Sequence, residues 1–308
     1  MERRSFISKS ITAAALAGTS LGVRAASVQT TADSSPGPFK LKFAPHLGMF
    51  KHHAGEDPID QLLFMADQGF SAFEDNGMKS REVGLQEKMA KTMMEKGIEM
   101  GVFVAHKIYW KEPNLASGKE DLREEFLADI RSSVEVAKRV NATWMTVVPG
   151  FVDLRKDMGY QTANVVESLK RASEILEPHG LVMVLEPLNP FNHPGMFLSE
   201  IPQAYEVCKA VGSPACKILD DLYHQQITEG NLIPNIDAAW EEIGYFQIGD
   251  NPGRKEPTTG EINYKNVFKH IHEKGFSGIL GMEHGNMHPG KEGEAALLEA
   301  YRSVDLEG

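Results

Sequence analysis

The sequence predicts a single (β/α)8 barrel, and three observations lead there. Eight short apolar runs recur along the chain, each followed by a polar, amphipathic stretch. The runs are continuous rather than alternating, as in strands covered on both faces. The series fills about 265 residues, the size of an eight-unit barrel. A doubly wound open sheet is the alternative, but no Gly-x-Gly-x-x-Gly follows the first run.

The runs lie at residues 41–46, 70–75, 100–106, 144–149, 182–186, 217–221, 245–250 and 278–283. Between them, apolar residues recur at helical spacing: Leu62, Leu63, Met65 and Ala66, then Leu85, Met89, Met93 and Met94. Phe126, Leu127, Ile130, Val134 and Ala137 follow, then Val165, Val166, Leu169 and Ile175. Methionines at these spacings read as core filler rather than as ligands. Glycines at 69, 97, 180 and 275 mark helix ends.

Ahead of the barrel, residues 1–26 read as a twin-arginine-type signal peptide. Arg3-Arg4-Ser5-Phe6-Ile7 precedes an apolar run at 11–23 and Arg24-Ala25-Ala26. That run is about 13 residues long, too short to span a ~30 Å hydrocarbon core. Residues 27–38 are rich in Ser, Thr, Pro and Gly and read as a disordered spacer, leaving 39–308 for the barrel. Export through the twin-arginine pathway to a periplasmic or extracellular location is therefore expected. No other stretch is long and apolar enough for stable membrane insertion.

With 32 basic against 43 acidic residues the net charge is −11, which repels phosphate backbones and excludes nucleic acid as the expected partner. Cys208 and Cys216 lack the paired spacing of a zinc ribbon and are expected as two reduced, buried thiols.

Barrel active sites sit at the carboxyl ends of the strands, so residues closing the runs carry most weight. The later runs end near Glu186, Asp221, Gln247 and Glu283, at intervals of 35, 26 and 36 residues, one βα unit each. Any one of these acids could be a helix cap or a loop carboxylate; four oxygen donors in the same phase point to a divalent metal. Without thiolate, the set suits Mg2+ or Mn2+, with Zn2+ and Co2+ left open. Asp220, adjacent to Asp221, should point to the other face of its strand. His224 follows Asp221 by three residues, and Arg254 has the side chain that grips carboxylates in bidentate fashion. His46, His106 and His284 also close runs and read as hydrogen-bonded wall residues.

Leu185-Glu186-Pro187-Leu188-Asn189, Asp221-Leu222-Tyr223-His224-Gln225, the block from Gln247 to Arg254, Gly260-Glu261-Ile262-Asn263-Tyr264 and Gly281-Met282-Glu283 carry a resemblance. The chain is similar to the hydroxypyruvate isomerase family, within the xylose-isomerase-like TIM-barrel sugar isomerases and epimerases. The resemblance implies a metal held by Glu186, Asp221, Gln247 and Glu283, substrate contacts from His224 and Arg254, and Glu186 and Glu283 as the proton-transfer pair. It implies a metal-dependent isomerase of a small-molecule hydroxy-keto acid or sugar, working through an enediolate, with hydroxypyruvate to tartronate semialdehyde as the named reaction. A ketose 3-epimerase is the alternative. A non-catalytic sugar-binding barrel and a phosphodiester-cleaving barrel related to the apurinic endonucleases are more remote. A homo-oligomer is left open.

Overall fold

The computed structural model describes residues 37–307, so the signal peptide and most of the spacer read above lie outside the described residues. Eight strands are present: β1 (Lys42–Ala44), β2 (Ala72–Phe73), β3 (Glu99–Met100), β4 (Trp144–Val147), β5 (Val182–Leu185), β6 (Cys216–Asp221), β7 (Ile243–Gln247) and β8 (Ile279–Gly281). All their pairings are parallel. One sheet runs β1-β8-β7-β6-β5-β4, and β2 pairs only with β3. Single links close the ring: Glu74 N–H donates to Pro45 O at 3.1 Å between β1 and β2, and Thr146 exchanges bonds with Phe103 and Ala105 between β3 and β4. The fold is a TIM barrel, as the apolar runs predicted.

Most strands are shorter than their runs because several runs extend into loops at the barrel mouth. The wall is drawn in at Gly101, just after β3, where a Cβ would lie 2.4 Å from the Tyr245 hydroxyl.

The surrounding helices are α1 (Lys51–Ala54), α2 (Pro58–Asp67), α3 (Val83–Lys96), α4 (Glu120–Val140), α5 (Met158–Leu176), α6 (Ile201–Val211), α7 (Leu222–Thr228), α8 (Leu232–Ala239), α9 (Tyr264–Glu273) and α10 (Gly290–Val304). Local chemistry sets their ends. Asp57 caps α2 by accepting from Ile59 N–H, with Pro58 at the first helical position. Gly97, at φ 68°, closes α3 in the left-handed conformation. The helical stripes bury Leu62 and Met65, Met89 and Met93, Phe126, Leu127, Ile130, Val134 and Ala137, and Val165 and Leu169. Met94 departs from its expected place: it is 76% exposed, one residue off the i, i+4 stripe that Met89 and Met93 occupy.

Alternation along the strands divides the interior. Ala44, Ala72, Val102, Val184, Leu219, Tyr245 and Ile279 pack together inside the ring. Phe43, Phe73, Leu185, Ile218, Phe246 and Leu280 belong to the larger core shared with the helices. Cys208 and Cys216 are free, buried thiols with sulfurs 4.0 Å apart, bringing α6 against β6. No helix among the described residues is long and apolar enough to cross a membrane.

Candidate active site

Side chains alternate between the two faces of a strand, so the position two residues after an inward residue also faces inward. Counting on from Ala72, Val184, Leu219 and Tyr245 gives Glu74, Glu186, Asp221 and Gln247; counting four on from Ile279 gives Glu283. Register agrees, since Asp221 lies opposite Gln247 and Gln247 opposite Gly281. Asp220 has the opposite parity, beside Phe246 of the outer core. Burial, aided by Asp221, pushes its carboxyl up to about 8.

Glu186, Asp221 and His224 each offer an atom within 4.8 Å of the others. His224 Nε2 stands 3.7 Å from Glu186 Oε1 and 3.6 Å from Asp221 Oδ2. Asn189 sits on the other ring nitrogen, with its backbone N–H 3.2 Å and its amide nitrogen 2.7 Å from Nδ1. Asp221 has two tasks. Its Oδ1 caps α7 by accepting from Tyr223 N–H and His224 N–H, while Oδ2 accepts from Arg254 Nη2 at 2.7 Å. The same guanidinium lies 3.4 Å from Glu283 Oε2, and Asn76 donates to Glu283 Oε1 at 3.2 Å. The structure thus gathers all six residues singled out in the sequence at one end of the barrel.

Charge is poorly balanced there. Arg254 is the one lysine or arginine among the described residues within ion-pair distance of Asp221 and Glu283. Burial lowers His224 to about 4, so it is neutral at pH 7. Burial, reinforced by Glu283, raises Glu186 well above the ordinary carboxylate range, and burial raises Glu283 to about 7. Burial works against the charge of Arg254, but Asp221, Glu283 and Glu186 outweigh it and hold the guanidinium firmly protonated. Four polar atoms at the site are buried without a hydrogen-bond partner: His224 Nε2, Gln247 Oε1, Arg254 Nε and Glu283 Oε2. Orphaned buried atoms of this kind call for a ligand.

Arg254 is delivered by a loop built on Asp250. The fully buried Asp250 carboxylate accepts from the N–H groups of Asn251, Gly260 and Ile262. Gly260 fits only because it lacks a Cβ, which would stand 2.2 Å from Asn251 O. Asp250→Ala is expected to open this loop, so that trypsin cuts after Arg254 and Lys255 in the folded protein. An unchanged digest would mean that other contacts hold the loop.

His46, His106 and His284 behave as wall residues. His46 bonds Leu47 O and His284 O, His106 bonds Lys107 O and Val148 N, and His284 bonds Gly285 O and the Tyr301 hydroxyl. Burial lowers His106 to about 4 and His284 to about 3. A cavity of about 300 Å³, lined by His46, Leu47, Glu74, Asn76, Arg81 and Glu283, adjoins the carboxylates and suits a small ligand. On the opposite side, Trp110 stacks on His193 at 5.3 Å, and His193 packs on His224 at 5.4 Å.

Sequence reasoning passed over Glu74, Asn76 and Asn189. Glu74 had the same signal as Glu186, an acid closing an apolar run. Asn76 and Asn189 lie in loops, where an asparagine carries no signal until the loop is folded.

The sequence profile of the xylose isomerase-like TIM barrel family matches residues 62–304. A hydroxypyruvate isomerase of Escherichia coli (strain K12) is 33% identical over 58% of this chain and 69% of its own length. A 2-oxo-tetronate isomerase of Pectobacterium atrosepticum is 28% identical over 79% of this chain and 91% of its own. Among solved structures, one described as an AP endonuclease, family 2, from Brucella melitensis superposes with a TM-score of 0.71, at 24% identity, over 84% of this chain and 98% of that one. That last likeness concerns the fold alone. The chain belongs to the xylose isomerase-like TIM barrel family, alongside the hydroxypyruvate isomerases.

Proposed function

We propose that the chain is a divalent-metal-dependent isomerase of a small hydroxy-keto acid or sugar, with hydroxypyruvate to tartronate semialdehyde as the best named reaction. The observation that carries this reading is the gathering of Glu186, Asp221 and Glu283 around one guanidinium, which pairs with Asp221 and Glu283, beside two unpartnered ligand atoms, His224 Nε2 and Gln247 Oε1. Arg254 is the one cation paired with these carboxylates, so each one ionised beyond the first adds negative charge that a divalent cation would offset. Glu186, Asp221, Gln247 and Glu283 would hold it. Their oxygens suit Mg2+ or Mn2+, and His224 Nε2 offers a nitrogen that would also admit Zn2+ or Co2+. Both curated relatives bear the names of 2-oxo acid isomerases, which supports the same substrate class.

A bound divalent cation supplies Lewis-acid stabilisation of charge on the substrate's neighbouring oxygens. The remaining work falls to the side chains. One of Glu186 and Glu283, entering ionised, takes the carbon-bound proton beside the carbonyl; the other, entering protonated, gives its proton to the former carbonyl carbon, and proton exchange with solvent restores the pair before the next turnover. The hydroxyl proton passes between the two oxygens, so the product is an isomer with no net gain or loss. A carboxyl held near 7, as Glu283 is, can accept and release a proton at neutral pH. Arg254 Nε is buried and unpartnered, available to a substrate carboxylate once Nη2 is committed to Asp221.

Arg254→Ala tests the substrate class. Losing a charge-assisted contact of about 1.5–3 kcal/mol should raise KM for hydroxypyruvate by roughly 10–100-fold and leave a neutral ketose much less affected. Equal losses on both substrates would overturn the hydroxy-acid reading and favour a sugar isomerase or 3-epimerase.

A further inference from the structure

Gln247 differs from the carboxylates around it in one respect. Its amide has an oxygen that can bind a cation and a nitrogen that cannot, and the two ends have nearly the same shape. Something must hold the oxygen toward the cation. We infer that Glu74 is a positioning residue that does this: it fixes the Gln247 amide with its nitrogen turned away and its oxygen presented to the metal site. The inference rests on the proposed metal-binding role of Gln247.

The geometry is specific. Glu74 closes β2 and is 1% exposed. Gln247 Nε2 donates to Glu74 Oε1 at 3.4 Å, at the long end for such a bond, and the amide oxygen is buried with no partner. A second bond steadies the carboxylate, since the Tyr245 hydroxyl donates to Glu74 Oε2 at 3.0 Å. The backbone of Glu74 is tied to β1 through Pro45 O. Two glycines leave room for this unit: a Cβ on Gly281 would lie 1.9 Å from Glu74 Oε2, and one on Gly101 would lie 3.2 Å from Glu74 Cβ. Tyr245, Glu74 and Gln247 therefore form a polar strut across the barrel interior, joining β2 to β7. Burial raises the Glu74 carboxyl well above the usual carboxylate range; with Oε2 engaged by the Tyr245 hydroxyl, Oε1 is the atom left to accept, and it selects the nitrogen end of the amide, whereas a glutamine at 74 could meet either end.

The test is Mn2+ binding by titration calorimetry, together with the visible absorption of the Co2+-loaded protein. Four variants are compared with the parent: Glu74→Gln, Gln247→Ala, the two combined, and the exchange Glu74→Gln with Gln247→Glu. Gln247→Ala and Glu74→Gln should each weaken Mn2+ by about 10–100-fold, the range for groups that orient a ligand. The combined variant should bind no more weakly than Gln247→Ala alone, because Glu74 acts through Gln247. In the exchange, a glutamate at 247 presents an oxygen in either orientation and still pairs with the glutamine at 74. It should recover Mn2+ binding and the parent Co2+ spectrum, and it reads the inference even if Glu74→Gln alone fails to fold. Parent-like affinity in Glu74→Gln, losses that multiply in the combined variant, or an exchange that binds no better than Gln247→Ala would each overturn the role of Glu74. Unchanged Mn2+ affinity in Gln247→Ala would overturn the role of Gln247 as a ligand and this inference with it.

Discussion

Glu186→Gln and Glu283→Gln are each expected to reduce kcat on hydroxypyruvate by at least about 10²-fold while the protein stays folded and still binds some metal. Glutamine keeps the shape and one oxygen donor of each carboxylate but cannot accept a carbon-bound proton. Neither change should harm the fold, because both carboxyls already sit where burial opposes their charge. The melting temperature of the metal-free protein should hold or rise. A variant of either kind that turns over within a few-fold of the parent would remove that glutamate from the proton-transfer pair.

Mn2+ should raise the melting temperature of the parent strongly at pH 8 and little at pH 5, and should do almost nothing for Asp221→Asn. The sign follows from Glu283, whose carboxyl is raised by burial from the ordinary 4.5 to about 7. Between those values the folded, metal-free chain holds more protons than the unfolded chain, so its stability falls as pH rises through that window. Metal uptake requires the ionised carboxylate, so affinity should rise about tenfold per pH unit up to near 7 for each proton displaced. Both effects widen the gap between loaded and metal-free protein. Asparagine is the right replacement because Asp221 also caps α7 and asparagine caps as well; alanine would add a helix penalty of about 1 kcal/mol. A parent-like Mn2+ shift in Asp221→Asn would place the metal elsewhere.

The barrel was legible because strands buried on both faces write themselves as continuous apolar runs, and each of the eight runs overlaps a strand. The same property hid the inner face. When Ile218 and Leu219 are both apolar, nothing in the sequence says which one looks inward, and the choice appears only with the packing. Glu186, Asp221, Gln247 and Glu283 could still be found, because acids and amides closing such runs share a phase along the chain. Glu74 shared that phase, but it lay in the first half, where no second residue reinforced it. The pairing of Arg254 with Asp221 spans 33 residues and depends on a loop held by Asp250. No local pattern encodes it.

The uneven ring divides the labour of the barrel. The unbroken six-stranded arc contains β5, β6, β7 and β8, the strands that Glu186, Asp221, Gln247 and Glu283 end or follow, so hydrogen-bonded ladders fix their spacing. The other arc, the two-residue strands β2 and β3, is tied to its neighbours by isolated links and supplies pocket wall from Asn76 and Arg81 after β2. Loops on that side lie outside the ladders that space β5 to β8, and they meet the site through side chains, Glu74 on Gln247 and Asn76 on Glu283. Pocket wall is therefore carried where the backbone is loosely tied, while Glu186, Asp221, Gln247 and Glu283 are spaced where it is not.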